Sequence, residues 1–157
     1  LRRSENMKAE ISFDHLKAEY IPEICMIERE AFLSPWSEKS FEGELENTAA
    51  YYVIALQEGH VAGYGGFWRI LDEGHITNIA VRADCRRRGV GRALLARMIK
   101  RAGMLGIERM TLEVRKSNAA AIRLYEQYGF VTQGARPKYY ENGEDALIMW
   151  MEVTHAG

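Results

Sequence analysis

The chain has 157 residues, 47% of them hydrophobic and 27% charged, with a net charge of −1. That length and balance suit one domain with a proper core and exclude a disordered, highly charged chain; a near-neutral balance also lacks the overall charge signature of a nucleic-acid binder. No run of 18 apolar residues and no secretory leader is visible, and the two cysteines, Cys25 and Cys85, have no motif spacing, so a reducing, cytoplasmic setting away from membranes is expected.

The polar stretch Leu1-Arg2-Arg3-Ser4-Glu5-Asn6 ahead of Met7 reads as an extension without a fold of its own. Residues 1–7 are thus expected to be disordered and 8–155 to form a single domain. Residues 9–13 alternate as a first strand. Between Tyr20 and Phe32 the positions Ile24, Ile27 and Ala31 fall at helical spacing. Pro35 interrupts, and Ser37 caps a second helix carrying Phe41 and Leu45. Tyr51 to Leu56 and Val61 to Leu71 read as a hairpin around Gln57–His60. A turn at Asp72-Glu73-Gly74 leads to a third strand over His75 to Val81, completing an antiparallel meander. After a basic turn, a helix places Val90, Leu94, Leu95, Met98, Ile99 and Ala102 on one face and ends near Gly103 or Gly106. Met110 to Val114 is a strand, and Ser117-Asn118 caps a helix over Ala119 to Tyr128 that stops at Gly129. Strands from Phe130 to Gln133 and from Ala146 to Val153 close the chain, with a turn at Glu141–Glu144 between them. The order β-α-α-β-β-β-α-β-α-β-β predicts a mixed α/β sheet with helices on both sides.

The segment Arg86-Arg87-Arg88-Gly89-Val90-Gly91-Arg92, between a strand and a helix, has the parts of an anion site. Helix-start amides and the helix dipole favour negative charge, and glycine admits a phosphate close to the main chain. It lacks the Gly-Lys-Ser/Thr ending of a nucleotide triphosphatase loop and the third glycine of a dinucleotide fingerprint. A ligand carrying a pyrophosphate fits it, as does a plain basic helix start.

Glu113 lies between Leu112 and Val114, so strand alternation turns it away from the core face. There it is either solvated or lines a cleft, where partial burial would tune it toward proton abstraction near neutral pH. Tyr125 is either core or a phenol aimed at a leaving group. Asn118 reads as an N-cap, a role compatible with ligand contact. Trp36, Trp68, Tyr139 and Tyr140 are either packing residues or a substrate wall. His15, His60, His75 and His155 have no metal-ligand spacing, so no metal is expected. Cys25 reads as core, and Cys85 as a loop cysteine with no catalytic duty.

Taken together, these segments resemble the GNAT superfamily of acetyl-CoA-dependent N-acetyltransferases. Pro35-Trp36-Ser37, His75 to Val81, Leu112-Glu113-Val114-Arg115, Ser117-Asn118, Ala121 to Tyr125, Gly129-Phe130, Tyr139-Tyr140 and Glu144-Asp145-Ala146 narrow the resemblance to its RimI-type ribosomal-protein alanine N-acetyltransferases. The resemblance implies a mostly antiparallel central sheet with helices on both faces and a splayed strand pair holding acetyl-CoA. It implies that Ile79, Ala80 and Val81 contact the pantetheine arm, that Arg86, Arg87, Arg88, Gly89, Val90, Gly91 and Arg92 cradle the pyrophosphate, and that Asn118 and Tyr125 also touch the cofactor. Glu113 is then the general base, acting directly or through water, and Tyr125 the general acid. Trp36, Asn78, Tyr139 and Tyr140 would bind the acceptor, a protein N-terminus of a ribosomal protein. The implied protein is a monomer or weak dimer. Two other readings fit the same residues: acetylation of a small amine or antibiotic, and a non-catalytic CoA-binding module.

Overall fold

The computed structural model describes residues 10–153; the expected extension over 1–7 and His155 lie outside them. The elements follow the expected order. They are β1 (Ile11–Asp14), α1 (Ile21–Ala31), α2 (Glu38–Glu44), β2 (Ala50–Gln57), β3 (His60–Ile70), β4 (Glu73–Val81), α3 (Val90–Met104), β5 (Arg109–Arg115), α4 (Ala119–Gln127), β6 (Val131–Arg136) and β7 (Ala146–Glu152). The strands form one sheet in the order β1-β2-β3-β4-β5-β7-β6. Every neighbouring pair is antiparallel except β4 with β5.

Local chemistry explains most boundaries. The Ser37 hydroxyl accepts from the Ser40 N–H and starts α2, and Asn118 Oδ1 accepts from the Ala121 N–H and starts α4. The β2–β3 hairpin turns through Glu58 and Gly59, both at positive φ, which matches the twist of a tight hairpin. Several ends differ from the sequence expectation by a residue or two, and two of these differences have a plain cause. Glu73 and Gly74 are strand residues, not turn: they pair with Ile70 and Arg69 on one side and with Arg109 and Met110 on the other. Two-sided pairing outweighs the local turn signal, and the reversal is confined to Leu71 and Asp72. The sixth strand starts at Val131 and runs to Arg136, because Phe130 is buried as part of the α4 C-terminal cap, its N–H on the Tyr125 carbonyl.

Helices cover both faces. Ile21, Ile24 and Ile27 of α1 and Phe41 of α2 pack with Tyr52, Ile54 and Tyr64. On the opposite face Leu95, Met98 and Ala102 of α3 and Tyr125 of α4 pack with Phe67, Met110 and Leu112. Each fully buried Ile, Leu, Met or Phe among them contributes about 1.5–3 kcal/mol of apolar burial. Adjacent glycines make room on β3 for α3 on one face and for a neighbouring-strand ring on the other. A Cβ on Gly65 would lie 2.5 Å from Met98 Sδ, and one on Gly66 would lie 2.4 Å from the Tyr52 ring.

The feature that positions the site is the join between β4 and β5. They pair only through Glu73–Arg109, Gly74–Met110 and His75–Thr111 and then separate. The separation starts at a bulge in β4. Gly66 faces Asn78 and Phe67 faces Ile76, so Thr77 is the extra residue; its hydroxyl donates to Asn78 Oδ1 at 2.8 Å and lies 3.3 Å from the Gly66 carbonyl. A bulge bends its strand and adds twist.

Candidate active site

The wedge between the diverging strands is a cleft of about 160 Å³. Ile76 to Ile79 of β4 form one wall and Leu112 to Arg115 of β5 the other. Asn118, Ala121 and Tyr125 of α4 and Tyr140 close it on one side, and Ala31 and Phe32 line it from the end of α1. Asn78, Ile79, Glu113, Asn118, Tyr125 and Tyr140, all singled out from sequence, therefore share one cavity. The larger depression, about 820 Å³ between α3 and the β1–β2 edge, holds none of the singled-out residues.

Glu113 is half-buried on the cleft wall. Its carboxylate is ion-paired with the Arg136 guanidinium of β6, a partner the sequence reading missed. The Tyr139 hydroxyl also faces it, and hydrogen bonding to Glu113 is the main reason that phenol is pushed up from its ordinary value. Tyr125 is 6% exposed, its ring edge-on to Phe130 at 5.7 Å. Burial first, and the nearby Tyr140 second, push its phenol well above the ordinary range, so it keeps its proton. Tyr140 is pushed up to about 12, by burial and against the opposing pull of Arg115, whose guanidinium lies 3.9 Å from the ring centroid.

Tyr140 sits on a loop fastened to the start of α4. Glu144 accepts from the Ser117 N–H at 2.7 Å; the Ser117 hydroxyl first and this N–H second hold its carboxyl below the usual range. Tyr139 stands edge-on to Tyr140 at 5.1 Å and is half-exposed; it does not itself line the cleft. Trp36 sits elsewhere: it packs against Phe41 at 5.3 Å and Trp68 at 6.3 Å and does not line the cleft.

Beyond Val81 the basic turn leads into α3. Arg87 and Gly89 both have positive φ (65° and 81°), and Gly89 is the N-cap, a conformation that favours glycine. The Ala93 N–H is bonded to the Gly89 carbonyl, which leaves the amides of Val90, Gly91 and Arg92 facing out of the helix end. A Cβ on Gly89 would meet nothing within 4 Å, so the approach is open. Arg86, Arg87 and Arg88 are exposed, and Arg86 Nε also donates to the Val81 carbonyl at 3.3 Å. Ala80 turns its side chain into the core, so only its backbone is available to a ligand. Open helix-start amides, a left-handed glycine and the unpaired edge of β4 together fit an elongated ligand that carries phosphate groups.

The cysteines, histidines and helices lie as follows. Cys25 is buried core. Cys85 is not a surface loop residue: it is 1% exposed in a short helical turn, and Arg82 donates to its sulfur at 3.3 Å. His15, His60 and His75 each pair with a nearby carboxylate, and no group of three metal-ligating side chains occurs among the described residues. None of the described helices is long and apolar enough to cross a membrane.

Residues 21–130 match the model of the Acetyltransferase (GNAT) family. The chain belongs to that family. GNAT enzymes use acetyl-CoA as acetyl donor. A curated relative from Escherichia coli (strain K12), named [Ribosomal protein bS18]-alanine N-acetyltransferase, is 39% identical over 137 residues, covering 85% of this chain and 92% of its own. The crystal structure of the ribosomal-protein-S18-alanine N-acetyltransferase from Escherichia coli superposes with a TM-score of 0.86 at 38% identity, covering 94% of this chain and 97% of that one. Ard1 from Thermoplasma volcanium, at 24% identity, shares the GNAT fold with a TM-score of 0.86 over 92% of this chain and 98% of its own.

Proposed function

We propose that this chain transfers the acetyl group of acetyl-CoA to the N-terminal α-amine of a protein, an alanine on a small-subunit ribosomal protein, in the cytoplasm. The observation that carries this reading is the placement of Glu113 and Tyr125 in one cleft between splayed strands that lead to the open amides of α3. The names of the Escherichia coli relatives support the acceptor.

In this reading acetyl-CoA supplies an activated thioester. The amides of Val90, Gly91 and Arg92 and the arginines before them hold its pyrophosphate, and the β5-facing edge of β4 holds its arm. An α-amine has an ordinary pKa of about 8 and is mostly protonated near neutrality. Glu113 accepts that proton, and the neutral nitrogen bonds to the carbonyl carbon. Backbone amides near Ile79 to Val81 oppose the developing oxyanion charge, a class of contact for which removing one donor costs about 3–4 kcal/mol elsewhere. As the carbon–sulfur bond breaks, Tyr125 gives its proton to the departing sulfur, and the nitrogen, cationic after attack, sheds its second proton to the tyrosinate as the amide forms. Holding both reactants in one cleft supplies much of the remaining acceleration.

A thiol-release assay with acetyl-CoA and a panel of N-terminal hexapeptides, read together with peptide mass, tests the proposal. Acetylation of the α-amine of an alanine-starting peptide is expected. Turnover with small amines and none with any peptide would overturn it.

A further inference from the structure

One buried carboxylate next to the cleft has no part in the chemistry above. Glu28 is 2% exposed and continues the buried stripe Ile21, Ile24, Cys25 of α1. Donors from three other segments converge on it. The Trp36 backbone N–H donates to Oε2 at 2.9 Å, the Tyr64 hydroxyl of β3 donates to Oε1, and Asn78 Nδ2 of β4 reaches the same oxygen at 3.5 Å. Tyr64 is fully buried, and burial together with the Glu28 charge pushes its phenol far up, so it remains a donor.

Two of these donors belong to the acceptor side of the cleft. Asn78 lines it, with Oδ1 held at 2.8 Å by the hydroxyl of the bulge residue Thr77. The Trp36 amide anchors the segment after α1 whose first residue, Phe32, also lines the cleft. In the same segment the Ser34 hydroxyl donates to Glu141 on the loop that carries Tyr139 and Tyr140. A buried charge is weak support for stability taken alone, but removing this one leaves three donors without an acceptor.

We infer that Glu28 is a positioning residue for the acceptor: its carboxylate fixes Asn78 and the Phe32–Trp36 segment in the arrangement that receives the substrate N-terminus. This rests on the acetyltransferase reading of the cleft.

The test compares wild type with Glu28→Gln, using acetyl-CoA and an alanine-starting hexapeptide. Glutamine offers one acceptor oxygen where the carboxylate offers two, so its amide faces either Trp36 or the Tyr64 and Asn78 pair. The KM for peptide is expected to rise about tenfold, the loss of one charge-assisted hydrogen bond, with the Kd for acetyl-CoA by calorimetry held within about twofold. Tyr64→Phe removes the donor that does not lead to the cleft; it lowers Tm and leaves the peptide KM in place. Amide hydrogen exchange needs no variant. In wild type the Trp36 N–H exchanges as slowly as helical amides. Three results each overturn the role: an unchanged peptide KM in a folded Glu28→Gln, equal changes for both substrates, or a Trp36 N–H that exchanges freely in wild type. A wild-type protein that binds acetyl-CoA but acetylates no peptide overturns the acceptor reading instead, and the Trp36 exchange still decides what Glu28 holds.

Discussion

Replacing Tyr125 with phenylalanine separates catalysis from stability at a single atom. The ring is buried against Phe130, and among the described residues its hydroxyl has no hydrogen-bond partner. Deleting that oxygen therefore breaks no contact and keeps the ring packing. Folding stability is expected to stay level or rise by up to about 1 kcal/mol, since an unpartnered buried hydroxyl carries a desolvation cost. For a domain of this size that corresponds to a Tm change of no more than about 2–4 °C upward. Catalysis moves the other way. A proton donor to the leaving sulfur is worth about 10²–10⁴ in rate, so kcat falls at least about 100-fold, close to 2.7 kcal/mol of transition-state stabilisation. The KM values change little, because the phenol acts where the bond breaks. The assay is thiol release at saturating peptide and acetyl-CoA, paired with thermal unfolding of the same sample. A Tyr125→Phe protein with near-wild-type kcat removes Tyr125 from the acid role. One with low kcat and a Tm depressed by many degrees shows that packing, and not proton donation, accounts for the loss.

Glu113→Gln keeps shape and removes the base; kcat should fall about 10²–10³-fold with acetyl-CoA affinity unchanged, and turnover close to wild type in steady-state kinetics would dismiss the role. Gly65→Ala sets a methyl group 2.5 Å from Met98 Sδ in a fully buried layer, and urea unfolding should show a loss of about 1–3 kcal/mol. Alkaline stability follows from Tyr52, Tyr64 and Tyr125, all pushed above the ordinary phenol value chiefly by burial. Their contribution is complete below the unfolded pKa of about 10 and declines as pH rises past it, because the unfolded chain gives up protons that the folded one keeps. The slope reaches about 1.4 kcal/mol per pH unit per tyrosine, and unfolding titrations between pH 9 and about 11.5 that show no decline would contradict the burial account.

The meander, the capped helices and the glycine-bearing basic turn were readable because each is written locally, in alternation, in Ser37 and Asn118, and in Gly89 at a helix start. Glu113 and Tyr125 stood out for the same reason, a carboxylate and a phenol at defined positions on short elements. What sequence reading missed comes from distant parts of the chain. Arg136 meets Glu113 only after β7 is inserted between β5 and β6. The Thr77 bulge arises from a register that two strands settle between them. Glu28 had a local signal: it occupies the seventh position of the stripe Ile21, Ile24, Cys25, where an acidic residue marks a buried charge with partners elsewhere. Trp36 stood in a loop beside proline, yet it packs with Phe41 and Trp68, because three aromatic rings bury more surface together than one does at a cleft mouth.

Three residue pairs make up the backbone pairing of β4 with β5, so the sheet is two leaves with a short hydrogen-bonded spine at Glu73–His75. The covalent link between the leaves is α3, whose N-terminal end bears the proposed pyrophosphate cradle. A cosubstrate lying between the leaves stands where another strand would run and borrows the hydrogen-bonding groups left over on β4. In the proposed function it would serve as a fastener as well as a reactant, filling the gap where the two leaves lack backbone pairing. Binding of the acetyl donor would in this way set the distance between the wall that carries Asn78 and the wall that carries Glu113 before any acceptor arrives.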